Sequence, residues 1–228
     1  MKIDRHGKAK ILTQPEIQLL FNNGLKNNQD RALFGVCLFT ACRINEACTL
    51  LRGDVYDSNN QVRPNLIIRK RSTKGKLATR TIPIIYDLRL VLTKYNPSEE
   101  QVYLFGGRSD GTHINSDSAA RILRKACRDV GIEGVSTHSF RRTALTNMSN
   151  AGIPLRVIQK VSGHRDLGQL QKYLEVTDEQ ILGAVTSLSM LSPLIDEAGK
   201  CGLDDFKLHP YPEGKHNPKR PPRKKKQR

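Results

Sequence analysis

Apolar positions along this chain recur mostly at helical spacing. Thr13-Gln14-Pro15-Glu16 reads as a capping box, with Thr13 at N-cap and Glu16 reaching back. It opens a helix carrying Ile17, Leu20, Phe21 and Leu25 on one face. Arg31 to about Cys42 is strongly apolar and predicts a buried second helix, and Ile44–Leu51 a short third. Asn65–Lys70 and Thr79–Ile85 are β-prone runs. They flank the polar, glycine-containing stretch Arg71–Ala78, which predicts a hairpin. Leu88–Lys94 returns to helical spacing, and Gly106-Gly107 with Asp110-Gly111 punctuate a loop. Asn115 to about Val130 turns Ala119, Ile122, Leu123, Ala126 and Val130 inward and Arg121, Arg124, Lys125 and Arg128 outward. A helix from His138 to about Ala151 ends near Gly152. Pro154–Val161, Leu167–Leu174 and Asp178–Leu188 complete the helical set. The predicted fold class is mainly α with one small antiparallel β-sheet (α+β), without internal repeats.

Composition narrows this picture. The 228 residues allow one large domain or two small ones, and 37% hydrophobic with 26% charged residues fits a soluble globular protein. No apolar run approaches the roughly 18 residues of a membrane span, and the N-terminus lacks the apolar stretch of a signal peptide. Five cysteines without a CxxC argue against a disulfide framework and a zinc site. A reducing, cytoplasmic setting is expected, with no membrane partner. The 38 Lys+Arg against 22 Asp+Glu give a net charge of +16, so a polyanion is expected, nucleic acid first. Lys207–Arg228 holds nine Lys+Arg and one acid, Glu213, hence half of the excess. We therefore divide the chain into a short basic arm (1–10), one domain (11–191) and a basic, proline-rich tail (192–228). The tail is too poor in aliphatic residues to order itself. It is either a loose phosphate-binding arm or simply a solvated segment.

No Walker loop, GxGxxG or HExxH occurs. The informative residues are scattered: Arg43 with Glu46, Lys74 at the hairpin tip, His138-Ser139-Phe140-Arg141, Gly163-His164 and Tyr173. Each alone has an ordinary explanation, as a surface ion pair, a solvated lysine or a core-edge tyrosine. Their order and spacing together resemble the active-site series of the tyrosine site-specific recombinases (phage integrase family). Thr40-Ala41-Cys42-Arg43-Ile44-Asn45-Glu46-Ala47 is similar to that family's Thr-Gly-x-Arg-x-x-Glu block. Thr73-Lys74-Gly75 through Arg80-Thr81-Ile82-Pro83 resembles its lysine-bearing hairpin, and Thr137–Thr143 its His-x-x-Arg box. Val161-Ser162-Gly163-His164 followed by Lys172-Tyr173 resembles its closing block. The resemblance covers roughly Ile11 to Leu188. It departs from the family in two ways. Ala41 stands where glycine is usual, a change expected to be tolerated. The catalytic region also begins almost at Met1, without the usual N-terminal core-binding domain; a short natural protein and a truncation both remain open.

The resemblance implies cleavage of one DNA strand by Tyr173, giving a 3′-phosphotyrosyl link and a free 5′-hydroxyl. The residue types suit that chemistry. Negative charge accumulates on the non-bridging oxygens and calls for preorganised, bidentate guanidinium groups, the roles given to Arg43 and Arg141. A phenol with a pKa near 10 needs a base or a strong field, and His138 is the candidate base. Lys74 is the candidate general acid for the leaving 5′-oxygen, with Lys76 as its rival. His164 would donate a hydrogen bond to a phosphate oxygen, and Glu46 would orient His138 or an arginine. No metal or other cofactor is expected. Arg142 is a second phosphate contact or a structural ion pair. Arg69, Arg71, Lys76, Arg121, Arg124 and Lys125 are candidates for the DNA backbone, or a solvated surface. Cys37, Cys42, Cys48 and Cys127 are read as buried hydrophobes.

The expected partner is double-stranded DNA with short inverted-repeat sites. The resemblance implies a homotetramer in the synaptic complex and a monomer or weak oligomer when free. The segment after Tyr173 would dock on a neighbour or pack in cis. A topoisomerase IB-like nicking-closing enzyme shares the chemistry, and a non-catalytic DNA-binding protein could keep the fold. A generic RNA-binding protein lacks support from any aromatic-rich stretch.

Overall fold

The computed structural model describes residues 9–70, 78–109, 111–171 and 178–188. The chain divides into two units, Met1–Ile181 and Leu182–Arg228.

The first helix forms as its sequence requires. Thr13 caps α1 (Gln14–Leu19): its hydroxyl accepts from the Glu16 amide, and the Glu16 carboxylate accepts from the Thr13 amide at 3.0 Å. One π turn, Leu20–Gly24, follows and buries Leu20. Helix α2 (Asn28–Thr40) starts three residues earlier than the apolar pattern suggests, because the Asn27 side chain accepts from the Asp30 amide at 2.7 Å. It is buried along nearly its whole length and forms the centre of the core. It stops at Thr40 because Ala41 adopts the left-handed conformation, with φ at 50°.

Helix α3 (Ile44–Cys48) is shorter than predicted. The backbone beyond it is used for pairing instead: Leu50 accepts from Leu104, and Leu51 bridges Tyr103. Strands β1 (Asn65–Ile68) and β2 (Arg80–Pro83) form the expected antiparallel hairpin, with Leu66 opposite Ile82 and Ile68 opposite Arg80. Side-chain alternation turns Leu66, Ile68, Ile82 and Arg80 to the buried face. The hairpin tip lies outside the described residues.

Helix α4 (Tyr86–Tyr95) packs on α2 through Leu88 and Leu92. Helix α5 (Ser116–Asp129), capped by Asn115, buries Ala119, Leu123, Ala126 and Cys127 and exposes its basic residues. Helix α6 (Thr137–Asn150) crosses α2, and Phe140 stacks on Phe34 at 5.2 Å. Leu12 and Ala9, just before α1, bond Thr143 and Arg142 and so tie the chain's start to α6. Helices α7 (Leu155–Ser162) and α8 (Leu167–Gln171) close a smaller apolar cluster of Ala41, Leu145, Ile158 and Leu170. Helix α9 (Asp178–Thr186) follows and runs across the unit boundary. The fold class is as expected, mainly helical with one small antiparallel sheet. Among the described residues no helix is long and apolar enough to cross a membrane.

Candidate active site

The left-handed turn at Ala41 reverses the chain between α2 and α3 and sets Arg43 at the N-cap of α3. Glu46, one turn on, is 1% exposed. Its carboxylate accepts from the Arg43 backbone amide at 2.9 Å and from the Arg43 guanidinium at 3.2 Å. It also accepts from Arg80 Nη2 at 3.0 Å. Glu46 therefore orients two arginines.

Arg141 reaches the same place from α6. It is 2% exposed, and its Nη1 donates to the Ala41 carbonyl, its Nη2 to the Ser162 carbonyl at 2.9 Å. Nη2 also lies 3.1 Å from His164 Nε2. His164 follows Gly163, the C-cap of α7, whose φ is +65°. A Cβ at Gly163 would overlap the Arg80 guanidinium, so glycine is needed there both for its backbone conformation and for the space. The Ser162 hydroxyl sits 2.8 Å from His164 Nδ1. Nη2 also lies 3.3 Å from Nδ1, so the tautomer is assigned from Ser162: its hydroxyl donates to the Gln159 carbonyl and therefore accepts from Nδ1–H, which leaves Nε2 as the acceptor.

Three guanidinium groups thus surround one carboxylate, and the titration of each group reflects that excess. Burial would raise Glu46, but Arg80, the Arg43 amide and Arg141 outweigh it and hold the carboxyl below its usual range. Burial, followed by Arg43, pushes Arg141 down to about 10. Burial, followed by Arg141, Arg43 and Arg80, pushes His164 down to about 4. His164 is therefore a neutral dipole at pH 7 and adds no charge to the free site. A cavity with this balance is built for an anion.

The other predicted residues lie as follows. His138 is exposed at the start of α6, one turn before Arg141, and lines a shallow cleft with Asp117 and Arg124. Lys74, Lys76, Arg71 and Tyr173 lie outside the described residues. Arg69 is paired with the buried Asp54, Nη2 to Oδ1 at 2.6 Å, which ties β1 to the turn at Arg52–Asp54. Arg142 is buried and donates to the Ala9 carbonyl. Arg121, Arg124 and Lys125 are exposed on α5. The four cysteines on helices and their ends are buried, as expected. Among the described residues no group of His, Cys, Asp or Glu could hold a metal ion.

Arg80 is the site residue that motif reading missed. Its signal was the period-two pattern of Arg80, Ile82 and Ile84, which places the arginine on the strand's inner face. Ser162 was likewise unread, since only the folded turn brings its hydroxyl to the imidazole.

Comparisons with known proteins bear on the family and the fold. The model of the phage integrase family matches residues 10–180. A tyrosine recombinase of Pseudothermotoga lettingae is 29% identical over 179 residues, which cover 78% of this chain and 60% of that protein. Tyrosine recombinase XerA of Pyrococcus furiosus is 29% identical over 191 residues, 82% of this chain and 64% of that protein. The chain thus spans about three-fifths of the length of these relatives. The crystal structure of XerA recombinase superposes with a TM-score of 0.63 at 21% identity, covering 80% of this chain and 64% of that one. XerH recombinase bound to its difH substrate, in a pre-cleavage complex, gives 0.60 at 18% identity over 83% and 57%. These structures share the fold, and the family match extends over three-quarters of the sequence. The chain belongs to the phage integrase family.

Proposed function

We propose that this protein is a site-specific DNA recombinase that cuts and rejoins strands through a tyrosine-linked intermediate. The observation that carries the reading is the cluster of Arg43, Arg80 and Arg141 around the single carboxylate of Glu46, with neutral His164 beside them. One phosphodiester entering it would relieve the unbalanced charge.

In this reading Arg43 and Arg141 take the non-bridging oxygens, and their fixed positions avoid reorganisation as charge develops. The phosphate draws the Arg141 Nη2 away from His164, and its negative charge favours a protonated ring that donates to it. Tyr173 attacks phosphorus, and the P–O bond to the 5′-oxygen breaks. His138 takes the phenolic proton, and Lys74 gives a proton to the leaving oxygen. The new phosphotyrosyl ester retains the bond energy, so religation by a 5′-hydroxyl needs neither nucleotide nor metal. A hydroxyl from a partner strand completes an exchange. Double-stranded DNA with inverted-repeat sites is the partner, and a homotetramer is the exchanging assembly. The segment following Tyr173, including the apolar Ile181 on α9, docks on a neighbour in that assembly.

The test is covalent attachment to a nicked suicide duplex. The wild-type chain forms a protein–DNA adduct stable to denaturant, and Tyr173→Phe forms none. An adduct of unchanged yield in Tyr173→Phe overturns the assignment.

A further inference from the structure

Beside the arginine cluster lies an open cleft of ≈ 730 Å³ between the base of the hairpin and α7. Arg80 forms part of its lining at one side, with His164, Gln159, Arg156, Lys160 and Arg165 around it. No acidic residue lines it among the described residues. We propose that this cleft is a second phosphate subsite, which grips the DNA backbone next to the phosphodiester held by Arg43 and Arg141.

Four observations carry this. First, the cationic lining lacks the compensation found elsewhere on the molecule. Arg69 is neutralised by Asp54, whereas Arg156, Lys160 and Arg165 form no ion pair among the described residues. The carboxylate nearest in sequence, Asp166, accepts from the Gly168 amide at 3.0 Å and does not line the cleft. Second, Arg156 and Lys160 stand one turn apart on α7, an arrangement of like charges that weakens a helix unless an anion lies between them. Third, Arg80 is 8% exposed, and its Nε and Nη1 have no hydrogen-bond partner among the described residues. Glu46 is shared with Arg43, so much of the Arg80 charge is uncompensated and its field reaches the cleft. Fourth, the rim is ordered in advance. Arg156 donates to Gln159 Oε1 at 2.8 Å, and Gln159 donates to the His164 carbonyl at 3.1 Å. His164 belongs to both the cluster and the cleft, which makes the two subsites neighbours on one strand.

The inference rests on the strand-transfer reading but fails separately from it. The probe is a fluorescein-labelled duplex of arbitrary sequence, titrated with the full chain between about 50 and 200 mM salt. Each phosphate contact contributes about 0.9 to the slope of log K against log salt. The triple variant Arg156→Gln, Lys160→Gln, Arg165→Gln is expected to lower that slope by between about 0.9, for one phosphate released, and about 2.7, for one at each cation, with an unchanged melting temperature because all three residues are exposed. The control variant Lys26→Gln, Lys94→Gln, Arg108→Gln removes the same charge from exposed positions elsewhere and is expected to leave the slope in place. An unchanged slope in the cleft variant, or an equal fall in the control, overturns the subsite. Neither outcome touches the suicide-substrate test on Tyr173.

Discussion

Two regions of this molecule are rich in arginine and do opposite things with it. On α5, Arg121 bonds Ser118 and Arg124 bonds the Ala120 carbonyl, each three or four residues away on the same helix. Both side chains stay in water. In the cluster, Arg141 is held by Ala41 and Ser162, and Arg80 by Glu46, all distant in sequence. These groups are out of water, and Arg141 is pushed down to about 10. The α5 arginines are positioned by their own helix and add charge that salt can screen. The cluster arginines are positioned by the whole fold, where screening is weak and a single missing partner matters. Site chemistry therefore follows from burial and long-range contacts, and the number of positive charges alone does not locate it.

Removing the carboxylate is the strongest way to break this contrast. Glu46→Gln leaves Arg43, Arg80 and Arg141 without their counter-charge, and loss of one partner from a buried pair costs on the order of 3 kcal/mol. Urea unfolding should show that loss. Phosphate in the buffer should restore part of it, because an anion bound to the native state replaces the missing charge. Arg124→Gln on α5 should change stability by less than about 0.5 kcal/mol, with no response to phosphate. Equal effects at the two sites would erase the distinction.

Protonation sharpens it further. Burial and the neighbouring guanidinium groups hold His164 at about 4 in the folded chain, against an ordinary value of about 6.5. The unfolded state therefore binds more protons between those values, and stability falls as pH drops from about 6.5 toward 4. His164→Asn should flatten that part of the profile. Bound DNA should raise the His164 pKa, seen as imidazole shifts in NMR, since a phosphate opposes the field of Arg141, Arg43 and Arg80. The charged groups facing the ring are these three and Glu46. A ring that titrates near 6.5 in the free chain would contradict the buried, overcharged site.

What was legible in the sequence was what neighbours along the chain decide. The Thr13 capping box, the two faces of α5 and the hairpin strands follow from spacing of three, four and two. Arg43, Glu46, Arg141 and His164 were found because motif words carried them. Arg80 sat inside such a word, yet its inward direction needed the strand register opposite Ile68. Glu46 was expected to orient His138 or an arginine, and its two arginine partners come from different elements. The neutrality of His164 was out of reach, because it depends on which groups fold around the ring. Lys74 and Tyr173 fall outside the described residues, so their roles stand on sequence and on the proposal.

The smallest effect concerns the turn that holds the cluster together. Ala41, expected to be a harmless replacement for glycine, sits at φ 50° with a side chain that the left-handed region disfavours. It is 1% exposed and packs with Leu145, Ile158 and Leu170, while its carbonyl accepts from Arg141. Two effects oppose each other in Ala41→Gly. Relief of the backbone contact favours the variant by about 1–2 kcal/mol, and the extra freedom of glycine in the unfolded chain costs about 0.4–1. Loss of one buried methyl takes away a further part, of order 0.8 kcal/mol. The balance is a change of no more than about 0.8 kcal/mol in either direction, measurable by the urea midpoint at constant slope. The carbonyl that receives Arg141 belongs to the backbone and survives the substitution, so adduct formation on the suicide substrate should stay within about twofold of the wild-type rate, less than the roughly 0.4 kcal/mol that twofold represents. A large loss of attachment without loss of stability would mean that the methyl itself sets the position of Arg141. The tertiary control separating the cluster from α5 would then extend to a single carbon atom.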